Sequence, residues 1–208
     1  MTSPNAAFID SYFAEMQRGI AGLERENIDR AIDALFDAWK RGATVFLIGN
    51  GGSASTATHF ACDLSKVTIA PGKPRLRALS LCDNVALMSA WINDHGFEHL
   101  FSEQLRSLMR PGDVLIAISV HGGSGADRGG PWSQNLLRAV RTAREEFQAT
   151  VIGFTGFDGG VLRQTADIAV HVPLPSTPQV ESFHLVLEHL ITFCLKDKIA
   201  ACDAAAQG

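Results

Sequence analysis

His59 and Asp63 stand four residues apart in the stretch Ser53–Ser65, which reads as a helix. That spacing puts both side chains on one helical face, one turn apart. Towards the C-terminus, Glu181, His184, Glu188 and His189 fall on a second, longer predicted helix. Imidazoles and carboxylates are the ligand types of zinc or a similar divalent ion. They are also the groups that move protons in acid–base catalysis. Glu181 and His189 are eight residues apart, about 12 Å along an ideal helix and about 80° around it. Both could reach one ion only by stretching towards a point between them. Sharing a site with His59 and Asp63 requires the two helices to meet, within the chain or across a subunit boundary.

A second chemistry is written in the glycines. In Thr44–Ser65 a short apolar run, Val45–Ile48, breaks into Gly49-Asn50-Gly51-Gly52-Ser53 and then enters the first helix. Strand, glycine turn and helix aim backbone N–H groups and a helix N-terminus at an anion. Ser53 can cap the helix or bond a ligand oxygen. The spacing fits neither the G-x-G-x-x-G dinucleotide fingerprint nor a P-loop. A ligand-free tight turn is the competing reading of the same residues. Ser119-Val120-His121-Gly122-Gly123-Ser124-Gly125 also follows a buried apolar run, and its hydroxyls and glycines could hold a phosphate. Asp94 closes a short apolar segment, where it could bond sugar hydroxyls or serve as a helix cap.

The elements that must carry these groups alternate. Strands are expected at Thr44–Ile48, Leu76–Leu81, Val114–Ser119, Thr150–Phe154 and Ile168–Val172. Helices are expected between them at Ser53–Ser65, Val85–Asp94, Phe97–Leu108 and Ser133–Phe147, with a short turn near Gly160–Gln164. Such alternation predicts a parallel sheet covered on both faces, with ligands beyond the carboxyl ends of its strands. Two helices, Asn5–Ile20 and Leu23–Arg41, precede the pattern, and Pro178–Ile199 ends it. In the second helix Ile28, Ala31, Ile32, Leu35, Phe36 and Trp39 form one apolar stripe. The 208 residues suit a single domain, with helices over 1–42 and the α/β core and last helix over 43–199.

Composition narrows the function. A net charge of -4 supplies no basic field for nucleic acid. No run of 18 apolar residues occurs, so no membrane span is expected. The N-terminal MTSPNAAFIDSYF lacks the basic and apolar regions of a secretory signal. Cys62, Cys82, Cys194 and Cys202 contain no C-x-x-C pair, and reduced thiols in a cytoplasmic protein are the expectation.

GNGGSAS followed by HFACDL, ND-x-G-F, DVLIAIS-x-x-GGS, TGFDGG and E-x-x-H-x-x-x-x-H resembles the phosphoheptose isomerases of the sugar isomerase (SIS) domain family. The motifs come in the family's order over nearly the whole chain. The resemblance implies an αβα sandwich with a five-stranded parallel sheet, preceded by the helical pair. It also implies a cytoplasmic homotetramer with sites at subunit interfaces. The implied reaction converts sedoheptulose 7-phosphate to an aldoheptose 7-phosphate, often with bound zinc. By position, Asn50, Gly51, Gly52 and Ser53 match the first ligand loop; Ser119 and Ser124 match phosphate-binding hydroxyls, and Asp94 the substrate-contacting aspartate. His59, Asp63, Glu181 and His189 fall at the metal or catalytic positions, with Asp63 and His189 as acid–base candidates and Glu181 also near substrate.

This chain departs from the family at five places, one being that an arginine usual after the first metal helix has no exact match, with Lys66 one position away. Asp63 stands where Glu is usual, and Glu181 where Gln is usual. The phosphate loop reads S-V-H-G-G-S instead of S-T-S-G-N-S, and a stretch near Ala126–Trp132 lengthens it. Lys66 and a protonated His121 could supply the missing donors. A related non-catalytic branch, a protein-binding regulator of replication initiation, lacks the acidic residue and the final histidine that are present here as Asp63 and His189.

Overall fold

The computed structural model describes residues 3–123 and 132–202. Its centre is a five-stranded, wholly parallel sheet in the order β2-β1-β3-β4-β5. The strands are β1 (Thr44–Gly49), β2 (Arg77–Ser80), β3 (Val114–Ser119), β4 (Thr150–Gly156) and β5 (Ile168–Val172). Every residue of β3 is buried, and all but the first of β1 and β4. That is why these strands read as continuous apolar runs and not as alternating ones.

The helices are α1 (Pro4–Gly22), α2 (Arg25–Lys40), α3 (Gly52–Lys66), α4 (Val85–His95), α5 (Ser102–Leu108), α6 (Gln134–Phe147), α7 (Gly160–Thr165) and α8 (Thr177–Ala201). Two cores separate across the sheet. One takes α2, α3 and α8, with Phe60, Phe154, Phe183 and Leu187 at its centre. The other takes α5, α6 and α7, with Phe101, Leu105, Leu136 and Leu162. The architecture is therefore the expected αβα sandwich.

The N-terminal pair divides its work. The α2 stripe is buried at Ile28, Ala31, Ile32, Leu35, Ala38 and Trp39. In α1 only Gly19 is buried, because a side chain there would run into Leu174 and Phe183. The expected helix Phe97–Leu108 is broken: Phe97–His99 is a single 3-10 turn, and α5 starts at Ser102. Leu100 and Phe101 between them are 1% and 0% exposed. The break lets two consecutive large side chains turn into the core, which a regular helix would point about 100° apart.

The register sets up the site. Gly49 pairs with Ile118, and Ser119 pairs with Thr155, so three strands end level. The chain leaves β1 towards one edge and returns in β3 on its other side, so the topological switch point lies between Asn50 and Ser119. Ligands of doubly wound sheets bind in that crevice. Among the described residues, no helix is long and apolar enough to cross a membrane.

Candidate active site

Three loops meet at the carboxyl ends of the strands. The first is the turn into α3. Gly49 admits no side chain, since a Cβ there would collide with the Ser53 backbone. Gly51 adopts φ 55°, a value L-residues rarely take. Gly52 lies against the Glu181 carboxylate, which fills the space a Cβ would need. Ser53 is buried in the first turn of α3.

Asn50 opens this turn and forms a reciprocal amide pair. Its Nδ2 donates to Asn135 Oδ1 at 3.0 Å, and Asn135 Nδ2 donates to Asn50 Oδ1 at 2.8 Å. Asn135 is fully buried at the start of α6, and nothing in its sequence surroundings marks it. Asn135→Ala leaves the Asn50 amide without its partner and is expected to cost about 1–3 kcal/mol. Thermal denaturation of the variant against the unmodified chain measures this.

The second and third loops lock together. Gly122 N donates to Ser119 O, Gly156 N to Val120 O, and Leu162 N to Gly122 O. A side chain on Gly122 would strike Gly159 O, and one on Gly160 would strike His121 O. The paired glycines of the two motifs thus exist for one another: backbone packs on backbone, and Ser119 is held in place. The His121 ring lies 4.2 Å from that of Phe157. Ser124 lies outside the described residues.

The titratable cluster sits further along α3, where α3 packs on α8. Among the described residues, His59, Asp63, Glu188 and His189 bring one ligand atom each within 4.8 Å of one another. The imidazoles of His59 and His189 are 5.0 Å apart, ring edge to ring face. Asp63 Oδ2 lies between them, 3.9 Å from His59 Nε2 and 3.7 Å from His189 Nε2. Glu188 Oε1 lies 3.2 Å from His189 Nε2 and 3.8 Å from His59 Nδ1. The two helices meet inside one chain.

Glu188, one of the ligand types on the last helix, is in the cluster although the family positions do not include it, and Glu181, which they do include, is not one of the four groups. It lies two turns earlier on α8, beside Gly52. His184 is a core residue: fully buried, it reaches Thr155 O at 3.3 Å and lies edge-on to Phe154. Burial pushes its pKa down to about 4, so it is neutral. Asp94 is exposed on the last turn of α4 and accepts from Asn93 Nδ2 at 2.7 Å. It lies outside the cluster.

Glu188 is wholly buried, and neither carboxylate oxygen finds a hydrogen-bond donor among the described residues. Burial, followed by the charge of Asp63, pushes its pKa up to about 8. Buried carboxylate oxygens without donors, facing two imidazoles and a second carboxylate, are what a divalent cation would satisfy. The donor set therefore fits a metal ion.

A pH test follows for protein kept ion-free by chelation. Between the ordinary 4.5 and about 8, folded Glu188 holds a proton that the unfolded chain has lost. Its contribution therefore makes stability fall as pH rises through that window. Glu188→Gln, neutral throughout, removes this loss. The two proteins should melt alike near pH 5, with the variant higher near pH 8.

The SIS domain family matches residues 10–156. The chain belongs to this family, among its phosphoheptose isomerases. It is 34% identical over 196 residues to the phosphoheptose isomerase of Burkholderia pseudomallei (strain 1710b), covering 92% of this chain and 94% of that one. Lincomycin biosynthesis protein LmbN of Streptomyces lincolnensis is 42% identical over 187 residues, covering 88% of this chain. The chain spans 66% of LmbN's length. The solved phosphoheptose isomerase GmhA of Neisseria gonorrhoeae superposes with a TM-score of 0.80 at 31% identity, over 92% of this chain and 98% of that one. Likeness to phosphoheptose isomerases at 34–39% identity over most of the chain makes it an isomerase-type enzyme.

Within this family the cluster gains its context. It lies on the α3 helix that the glycine turn begins, so the turn and the ion-binding groups share one rigid element. A shallow depression of about 590 Å³ runs along the same helix, lined by Ala54, Ser55, Thr58, His59, Cys62 and Cys82. A larger groove along α6 shares none of these residues.

Proposed function

We propose that the chain interconverts a ketose phosphate and an aldose phosphate, sedoheptulose 7-phosphate to D-glycero-D-manno-heptose 7-phosphate in the first instance. The observation that carries this is the meeting of His59, Asp63 and His189 on helices that flank a glycine-lined crevice. Ser119, His121 and Ser124 are assigned to the phosphate, and Asn50, Gly51, Gly52 and Ser53 to the sugar end, with Asp94 at a sugar hydroxyl. Family membership and the level strand ends support this division.

Isomerisation moves one proton from C1 of the ketose to C2, and one hydroxyl proton from O1 to O2, with no net change in composition. A base takes the carbon-bound proton, and an enediolate forms. An acid then returns the proton to the neighbouring carbon. His59, Asp63 and His189, with one carboxylate from α8, would hold a divalent ion, zinc by analogy with the family. Such an ion supplies positive charge for the oxygen anion that develops in the reaction. Asp63 lies between both imidazoles, so ligation takes its lone pairs and its part is to hold. Ligation through one ring nitrogen leaves a hydrogen on the other nitrogen of half-exposed His189, so His189 is the acid that returns the proton.

Apolar faces left uncovered support assembly into the homotetramer. Phe8, Ile9 and Phe13 on α1, Val85 and Ile92 on α4, and Val186, Leu190 and Phe193 on α8 are all at least 40% exposed. No residue of α4 is buried. Light scattering on the eluting protein should give four times the 22.3 kDa chain mass. A monomer would leave these faces unexplained.

A second reading is an isomerase of another phosphorylated sugar. Val120 and His121 in the phosphate loop favour it, as does the likeness to LmbN, a lincomycin biosynthesis protein. The assembled cluster favours an enzyme over a non-catalytic SIS regulator. Purified protein of measured metal content, assayed against a panel of ketose phosphates, tests both. Turnover of sedoheptulose 7-phosphate supports the first reading, and turnover of a different ketose phosphate alone supports the second. No turnover of any member defeats both.

A further inference from the structure

We propose that Glu188, and not Glu181, is the α8 carboxylate of the metal centre, and that Glu181 instead closes the glycine turn. This rests on the metal reading above.

The register of α3 on α8 carries the argument. Gly52 touches Glu181, and His59 faces Glu188. Both steps are seven residues, so the helices run in the same direction, in step over two turns. Seven residues span about 10.5 Å of helix. Side chains of a helix lean towards its N-terminus, so Glu181 leans away from the cluster and onto Gly52. Reaching an ion at His59 and His189 would require it to turn back along α8.

Glu188 needs no such movement. It is wholly buried, its oxygens have no donor among the described residues, and Oε1 already faces both imidazoles. A buried carboxylate without a donor is costly until a cation meets it. Two features of the sequence then explain each other. Asp63 has one methylene fewer than the glutamate usual in the family, so its carboxylate stays close to α3. Glu188 brings a second carboxylate from the facing helix to the same point. Two carboxylates balance the charge of a divalent cation, so the loaded centre is neutral. Glu181, at the first turn of α3, places its charge at the positive end of that helix.

The test uses the full chain stripped with a chelator and titrated with zinc chloride by calorimetry. Cobalt chloride provides a spectroscopic probe of the ligand set. The unmodified chain and Glu181→Gln should each bind one zinc per chain, with similar affinity and the same cobalt absorption spectrum. Glu188→Gln should bind zinc at least about tenfold more weakly, with an altered cobalt spectrum. Glu188→Asp keeps the charge on a shorter arm and should also weaken zinc, which covers the case where the glutamine variant does not fold. If both Glu188 variants bind like the unmodified chain, or if Glu181→Gln is the variant that loses zinc, the assignment is overturned. If the unmodified chain itself binds no zinc or cobalt, the metal reading fails, and this assignment fails with it.

Discussion

Replacing His189 by alanine should lower kcat by about 10²–10⁴-fold, the range that a positioned acid–base group contributes, while the chain stays folded. The two halves of that result have separate causes. The His189 side chain is 42% exposed, so its removal opens no cavity in either core. Its loss also leaves Asp63 and Glu188 facing each other with one imidazole fewer, so bound metal should fall with activity. Asp63→Ala should behave in the same way, since Asp63 lies between the two imidazoles. A His184→Ala protein provides the contrast. His184 is buried in the core against Phe154, so its truncation should lower the melting temperature and leave metal content unchanged. Circular dichroism, metal analysis and steady-state kinetics on the three variants separate these outcomes. Unchanged turnover in both His189→Ala and Asp63→Ala would remove the enzymatic reading.

The second large effect concerns backbone. Gly122→Ala should destabilise the chain by about 2–4 kcal/mol and displace the phosphate loop, because two penalties fall on one residue. Gly122 holds φ 64°, and its missing Cβ would occupy the position of Gly159 O. Relieving that collision means separating the 119–123 loop from the turn before α7, which breaks the bond from Leu162 N to Gly122 O. In a chain of this size the melting temperature should drop by about 5–15 °C. KM for the sugar phosphate should rise, since Ser119 is fixed by the same contact. Gly112→Ala is the control: its φ is 84°, but nothing stands near its Cβ, so only the conformational penalty applies.

The fold was legible because the sheet is buried on both faces. Continuous apolar runs such as Val114–Ser119 can hardly belong to anything else, and the turns between them are marked by glycine and proline. The boundary at Leu100 and Phe101 was not legible. Their inward rotation depends on the shape of the core and not on any local stop signal. In the site, His59, Asp63 and His189 could be picked out by residue type and helical spacing. Choosing between Glu181 and Glu188 could not be done that way. They lie seven residues apart on α8, on almost the same face, and only the register against α3 decides which one stands at the level of His59. Asn135 was invisible for a similar reason: its partner Asn50 is 85 residues away, and the pairing exists only once β1 and α6 are docked.

Isomerisation through an enediolate leaves a direct trace. Sedoheptulose 7-phosphate incubated with the purified, metal-loaded chain in deuterium oxide can be followed by proton nuclear magnetic resonance. An aldoheptose phosphate carrying deuterium at C2, formed by the unmodified chain and not by His189→Ala, is the predicted result. Aldose formed at the same rate by both proteins, or product from the unmodified chain that carries at C2 only hydrogen transferred from C1, with no deuterium, would contradict a proton transfer in which His189 exchanges with solvent.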